Sequence, residues 1–203
     1  MKKIFALLVI VLGFGFSKLS AQNLSLGVKA EANMSNFILS DLEPLESKMK
    51  VGAGIGGFLK IDFGEYFALQ PELLVNMKNS IMEQNGIENK CMFWSIEIPL
   101  YAMGQMTLDN GERAYIGIGP YGSIGLSAKN RETDLNLYKE DGENGAFMQR
   151  GDVGVGVLVG YEFDFGMQIN ASYKYGLLNA LDAGQDDANM YNQTVSLGIA
   201  YRF

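Results

Sequence analysis

The chain ends in a run whose large apolar residues fall at every second position: Val195, Leu197, Ile199, Tyr201 and Phe203. Ser196, Gly198, Ala200 and Arg202 stand between them. Side chains of a strand alternate between its faces, so this segment is a strand with one apolar face and one small or polar face. A soluble domain would have to cover the apolar face. A membrane barrel turns that face to lipid and the other to a polar lumen.

Seven earlier segments carry the same alternation: Leu24–Asn33, Val51–Asp62, Tyr66–Lys78, Met92–Gln105, Arg113–Ser127, Gly151–Asp164 and Gly166–Leu177. Most have roughly 10–14 residues, enough to cross a bilayer at a tilt. Their connections alternate in length. Phe63-Gly64-Glu65, Asp109-Asn110-Gly111 and Asp164-Phe165-Gly166 are short, and Asn110-Gly111 suits a type I′ turn. Ser35–Lys50, Asn79–Cys91, Ala128–Arg150 and Leu178–Met190 are long and polar. Short turns at one end and long loops at the other specify an all-β fold, an eight-stranded antiparallel up-and-down transmembrane β-barrel. Both chain ends then fall on the short-turn, periplasmic side. Tyr66, Phe67, Tyr161, Phe163, Tyr201 and Phe203 gather near the short turns, and Trp94, Tyr173, Tyr175 and Tyr191 near the long loops. Rings at both ends match the two membrane–water interfaces. A soluble lipocalin-like barrel is the alternative fold and would invert the facing.

Met1-Lys2-Lys3, the apolar run Ile4–Phe16 and the small residues Ser20-Ala21 read as a signal peptide over residues 1–22. The apolar run is shorter than the ~20 residues of a spanning helix. Residues 23–203 then form one domain, the outer-membrane β-barrel, exported to the cell outer membrane of a Gram-negative bacterium.

Composition narrows the chemistry. A formal net charge of −7 argues against nucleic acid. The single Cys91 forms no internal disulfide. The chain has no His, which excludes a Ser-His-Asp site and a His-built metal site. No catalytic, cofactor-binding or metal-ligating residue is expected, and the protein reads as a non-enzyme. A carboxylate pair such as Glu72 with Glu97 has the residue types of glycosidase chemistry. In a small barrel such residues more simply form ion pairs. Lys29, Lys60, Lys78, Lys174 and Arg202 face the lumen with Glu31, Glu72, Glu97, Glu162 and Asp62, and mixed signs are expected there because an unpaired charge in such an interior is costly.

The glycines of Gly52-Ala53-Gly54-Ile55-Gly56 and Gly154-Val155-Gly156 open no helix and lead to no Gly-Lys-Ser/Thr, so they are not phosphate loops. They leave room for Phe58, Tyr101, Tyr115 and Tyr121 across the barrel. Pro71, Pro99 and Pro120 are expected to mark bulges. The long loops are acidic; Asp182, Asp186 and Asp187 form either a solvated surface or a cation or partner site.

Gly56-Gly57-Phe58-Leu59-Lys60-Ile61, Leu69-Gln70-Pro71-Glu72-Leu73, Ile96-Glu97-Ile98-Pro99-Leu100, Gly117-Ile118-Gly119-Pro120-Tyr121 and the terminal Tyr201-Arg202-Phe203 run along nearly the whole mature chain. In these the chain resembles the PorT-like small outer-membrane β-barrel family. The resemblance implies the barrel and no shared catalytic motif. The family's namesake is associated with protein secretion across the outer membrane, a role that fold analogy carries weakly. The expectation is a non-catalytic outer-membrane β-barrel protein with a structural or surface-interaction role. Its partners are outer-membrane lipids and an extracellular or membrane protein reached through loops 35–50, 79–91, 128–150 and 178–190. The alternatives are a narrow small-solute channel and an accessory component of outer-membrane protein secretion.

Overall fold

The computed structural model describes residues 24–40, 45–84, 87–130, 138, 149–180 and 189–203. The expected signal peptide and Asp182, Asp186 and Asp187 lie outside the described residues. Eight strands follow one another: β1 Leu24–Ser40, β2 Leu45–Asp62, β3 Phe67–Gln84, β4 Ile87–Thr107, β5 Arg113–Asn130, β6 Gly151–Glu162, β7 Met167–Gly176 and β8 Asn189–Arg202. Each pairs antiparallel with its neighbours, and β8 pairs with β1 to close the barrel. Closure satisfies the backbone of every wall strand without an open edge, which a wall in lipid requires.

The alternation read from the sequence sets the facing. Ile55, Ile116, Ile118 and Leu197 stand 62–67% exposed on the outer wall. Lys60, Glu97 and Lys174 are at most 1% exposed inside it. Apolar outside and charged inside is the inverse of a soluble barrel, so the lipocalin-like alternative fails. The rings fall in two belts. Tyr161, Phe163 and Phe165 form consecutive contacts at 5.3 and 5.6 Å between centroids near one turn, beside Tyr201 against Phe203 at 5.4 Å. At the other end Tyr175 stacks on Tyr191 at 6.2 Å.

The strands outrun their expected ends on the loop side. Residues 35–40 and 45–50, expected as loop, belong to β1 and β2, and 79–84 and 87–91 belong to β3 and β4. Residues 128–130 finish β5, and β8 begins at Asn189, with Asn189–Thr194 paired to Ser35–Ser40. Beyond the bilayer the outer face no longer needs to be apolar, so the period-two signal fades while the backbone ladder continues. The wall is therefore tall from β1 to β5 and low at β6 and β7.

Three local expectations are corrected. At the Asn110-Gly111 hairpin the Leu108 N–H donates to the Glu112 carbonyl at 2.8 Å, and the Gly111 N–H to the Leu108 carbonyl at 2.9 Å. Gly111 has φ +86°. This is a three-residue loop ending in a left-handed glycine, not a two-residue type I′ turn. Phe163–Met167 repeats it, with Gly166 at φ +91°. Second, the prolines shift no register: Pro71 pairs with Leu100, Pro99 with Tyr121 and Pro120 with Val155. The shifts fall between Lys50 and Ala53 and between Trp94 and Ser95. A proline removes a donor but adds no residue, so it need not bulge a strand. Third, among the glycines expected to make room for rings across the barrel only Gly156 does so, toward Tyr101 two strands away; Gly52, Gly54 and Gly56 lie against Met77, Asn76 and Leu73, and the other ring contacts are between neighbouring strands. Gly27 lies opposite Phe58, Gly154 opposite Tyr121 and Gly160 opposite Tyr115 on neighbouring strands, and each ring fills the space a Cβ there would take.

Candidate functional site in the lumen and its outer mouth

The lumen is built in layers by the inward residues of successive strand positions. All eight strands contribute charge: Lys29, Lys60, Glu72, Glu97, Arg113, Glu162, Lys174 and Arg202, in strand order. In the central layer the Lys29 ammonium donates to Glu72 at 3.0 Å and lies 3.4 Å from Glu31. Lys78 donates to one oxygen of Glu97 at 3.1 Å, and Lys174 donates to the other. Lys174 is also 3.8 Å from Glu31, which accepts from the Ser196 hydroxyl at 3.2 Å. Glu72 takes a further bond from the Gln70 amide at 2.8 Å. Glu72 and Glu97 are thus each held by lysines. Breaking such a buried group is costly because it strands an uncompensated charge.

A second layer lies toward the short turns. Glu162 accepts from Arg202 at 2.6 and 2.9 Å and from Gln168 at 2.7 Å, with Lys60 at 3.5 Å and Arg113 at 3.7 Å. Asp62 accepts from Gln105 at 2.7 Å, with Arg113 at 4.0 Å. The opposed charges named from the sequence are therefore brought together. Arg113 and Asp152 were not named as charged lumen residues, although the same alternation puts both on the inner face. Between the two layers Ala68, Tyr101, Met103, Tyr115 and Leu158 pack into a buried cluster. This apolar plug separates the charged levels.

Above the central layer the lumen stays polar. Asn33, Asn76, Ser95 and Thr194 are buried and each keeps a side-chain polar atom without a protein partner. They lead to a cavity of about 60 Å³ at the loop end, lined among others by Phe37, Phe93, Ser95, Tyr138, Asp152 and Asn192. Asp152 accepts from the Tyr121 hydroxyl at 2.9 Å and from the Asn192 amide at 3.2 Å through one oxygen. Phe37 meets Phe93 edge to face at 5.6 Å. Tyr138, from the segment between β5 and β6, packs into the space left by Gly125, and the Arg150 guanidinium lies 5.4 Å from its ring centre. Burial pushes the Tyr138 phenol above its ordinary range, so it stays protonated. No periodicity marks a loop tyrosine, so this contact had no sequence signal.

Comparison with solved structures finds the same fold. The outer membrane protein OprG of Pseudomonas aeruginosa aligns over 89% of this chain and 96% of its own, with TM-score 0.59 and 9% identity. Neisserial surface protein A aligns over 88% and 97%, with TM-score 0.52 and 14% identity. Comparison with curated protein sequences finds no match. A family model described as outer membrane protein beta-barrel domain matches residues 19–182. With that match over most of its length, on a closed barrel that is apolar outside and charged within, the chain belongs to the outer membrane protein beta-barrel domain family.

Proposed function

We propose that this protein is a non-catalytic barrel of the PorT-like type, exported by a cleaved signal peptide over residues 1–22, whose work is surface interaction at its extracellular end. The observation that carries the reading is the double anchoring of Glu97 by Lys78 and Lys174 above the apolar plug. The wall is occupied by lipid contact and the lumen by packing. The tall outer ends of β1–β5 and the connections beyond them, within 35–50, 79–91, 128–150 and 178–190, remain for a partner, and exposed segments on a rigid scaffold commonly bind. The absence of His from the sequence speaks against the acyl-transfer and hydrolytic chemistries open to a barrel. A narrow solute channel is supported by the polar upper lumen and opposed by the plug. An accessory role in secretion rests on the family resemblance alone.

Site-specific photo-crosslinking in the native outer membrane tests the reading. A crosslinker at Arg150 on the outer rim is expected to give discrete protein adducts, and one at Asn110 on the opposite end none. Adducts at Asn110 with none at Arg150 would move the interaction to the periplasmic side and overturn it.

A further inference from the structure

The cavity at the outer mouth has a composition that lumen packing does not explain. Ser95 is 7% exposed, and its hydroxyl has no protein partner. Asp152 Oδ2 is engaged by Tyr121 and Asn192, while its Oδ1 is buried and unpartnered. A buried polar atom left without a partner is destabilising, so both atoms favour a ligand that brings hydrogen-bond donors. The charges around them restrict which one. Lys78 and Arg150 line the same cavity and oppose a cation, whereas Asp152 opposes an anion. What fits is an uncharged molecule rich in hydroxyls. Phe37, Phe93 and Tyr138 supply aromatic surface against which C–H groups pack. Size limits how much enters: a cavity of about 150 Å³ holds a benzene ring, and this one is about 60 Å³. It admits one edge of a hexose, its hydroxymethyl or a pair of ring hydroxyls, and leaves the rest outside the rim.

We propose that the outer mouth binds the end unit of a neutral saccharide, with Asp152 and Ser95 taking its hydroxyls and the aromatic side chains its C–H edge. The proposal deepens the surface-interaction reading and rests on it.

The test uses the full barrel in lipid nanodiscs, with methyl α-glucoside, methyl α-mannoside and methyl α-galactoside as probes, and glycine, ammonium chloride and sodium sulfate as charged comparators. Saturation-transfer NMR is expected to show saturable binding of at least one glycoside in about the millimolar range, weakened about ten-fold by Ser95→Ala and by Asp152→Asn. Ser95→Ala removes a hydroxyl that bonds nothing in the protein, so the barrel is expected to keep its heat-modifiable migration. Asn110→Ala, at the far end, is expected to leave binding unchanged. No saturable binding of any glycoside overturns the proposal. So does binding that survives both substitutions, or a charged comparator that binds more tightly than every glycoside. Glycoside binding does not depend on rim crosslinks to protein. Missing crosslinks with glycosides bound sinks the protein-partner reading alone; crosslinks without glycoside binding sinks this proposal alone.

Discussion

Glu97 on β4 and Lys174 on β7 meet inside the barrel from strands three places apart in the wall. Lys78 holds the other oxygen of the same carboxylate at 3.1 Å. Glu97→Gln would leave both ammonium groups short of a partner; among the described residues Glu31, at 3.8 Å from Lys174, is the remaining carboxylate near them. The expected loss is about 3–5 kcal/mol, read from urea unfolding in detergent by the shift between fast and slow gel migration. Lys78→Met should cost less, because Glu97 keeps Lys174. Equal losses would mean that the shared carboxylate is not the centre of the layer.

Tyr115 tests the ring-on-glycine contacts. It lies opposite Gly160, and a Cβ there would collide with its ring. Gly160→Val is expected to destabilise by about 1–3 kcal/mol. Tyr115→Ala in the same chain should recover part of that loss, visible as a coupling energy in a double-mutant cycle. Gly56 differs, since a Cβ there would meet the Leu73 carbonyl of the neighbouring backbone. No side-chain change can relieve Gly56→Ala, so it should lower the folded yield without a suppressor at Leu73.

These contacts mark how far the sequence could be read. Facing was legible, because alternation alone puts Lys174 inside and Tyr173 outside. Which charges meet was only partly legible. The pairing of Glu97 with Lys174 depends on the register around the whole barrel, and that register includes shifts near Lys50 and Trp94 that no residue type announces. Strand ends on the loop side were missed because polar residues such as Asn36 break the outward apolar set after Met34. Tyr138 was invisible because its position depends on Gly125, a partner set by tertiary structure alone.

The plug should keep the barrel from conducting. Tyr101, Met103 and Leu158 are 1–2% exposed and lie between the two charged layers. In planar bilayers the purified protein is expected to show no discrete steps. Met103→Ala with Leu158→Ala should open a path between the polar outer end and the lower layer and produce small steps. Stable steps from the unmodified barrel would instead favour the solute channel.

Val157 tests the lipid face. It is 41% exposed on β6, with its neighbours Val155 and Val159 also outward. Val157→Arg should reduce insertion by about 2–4 kcal/mol near mid-membrane. Gly156→Ser should be milder. A Cβ at Gly156 would come within 3.1 Å of a methylene of Lys174 and 3.2 Å of the Tyr101 hydroxyl, contacts short by only a few tenths of an ångström and with side chains, not backbone. Normal folding of Val157→Arg in bilayers beside failure of Gly156→Ser would contradict the facing.

The segment between β5 and β6 puts the surface-interaction proposal to its most direct test. β5 runs to Asn130, six residues past its last pairing with β6 at Ile124 and Gly151. The cut should therefore spare 128–130, which belong to the wall, and replace residues 131–148 with a short flexible turn. Insertion should survive, because the closure cost of a connecting loop changes slowly with its length. The Tyr138 contact with Gly125 and Arg150 is lost in this variant, so the outer mouth opens while the charge layers below keep their partners. Partner binding, or whatever phenotype a full knockout shows, should disappear with the segment. If the shortened barrel inserts normally and fully complements the knockout, this loop is not the functional element, and the tall rim of β1–β5 is the next surface to remove.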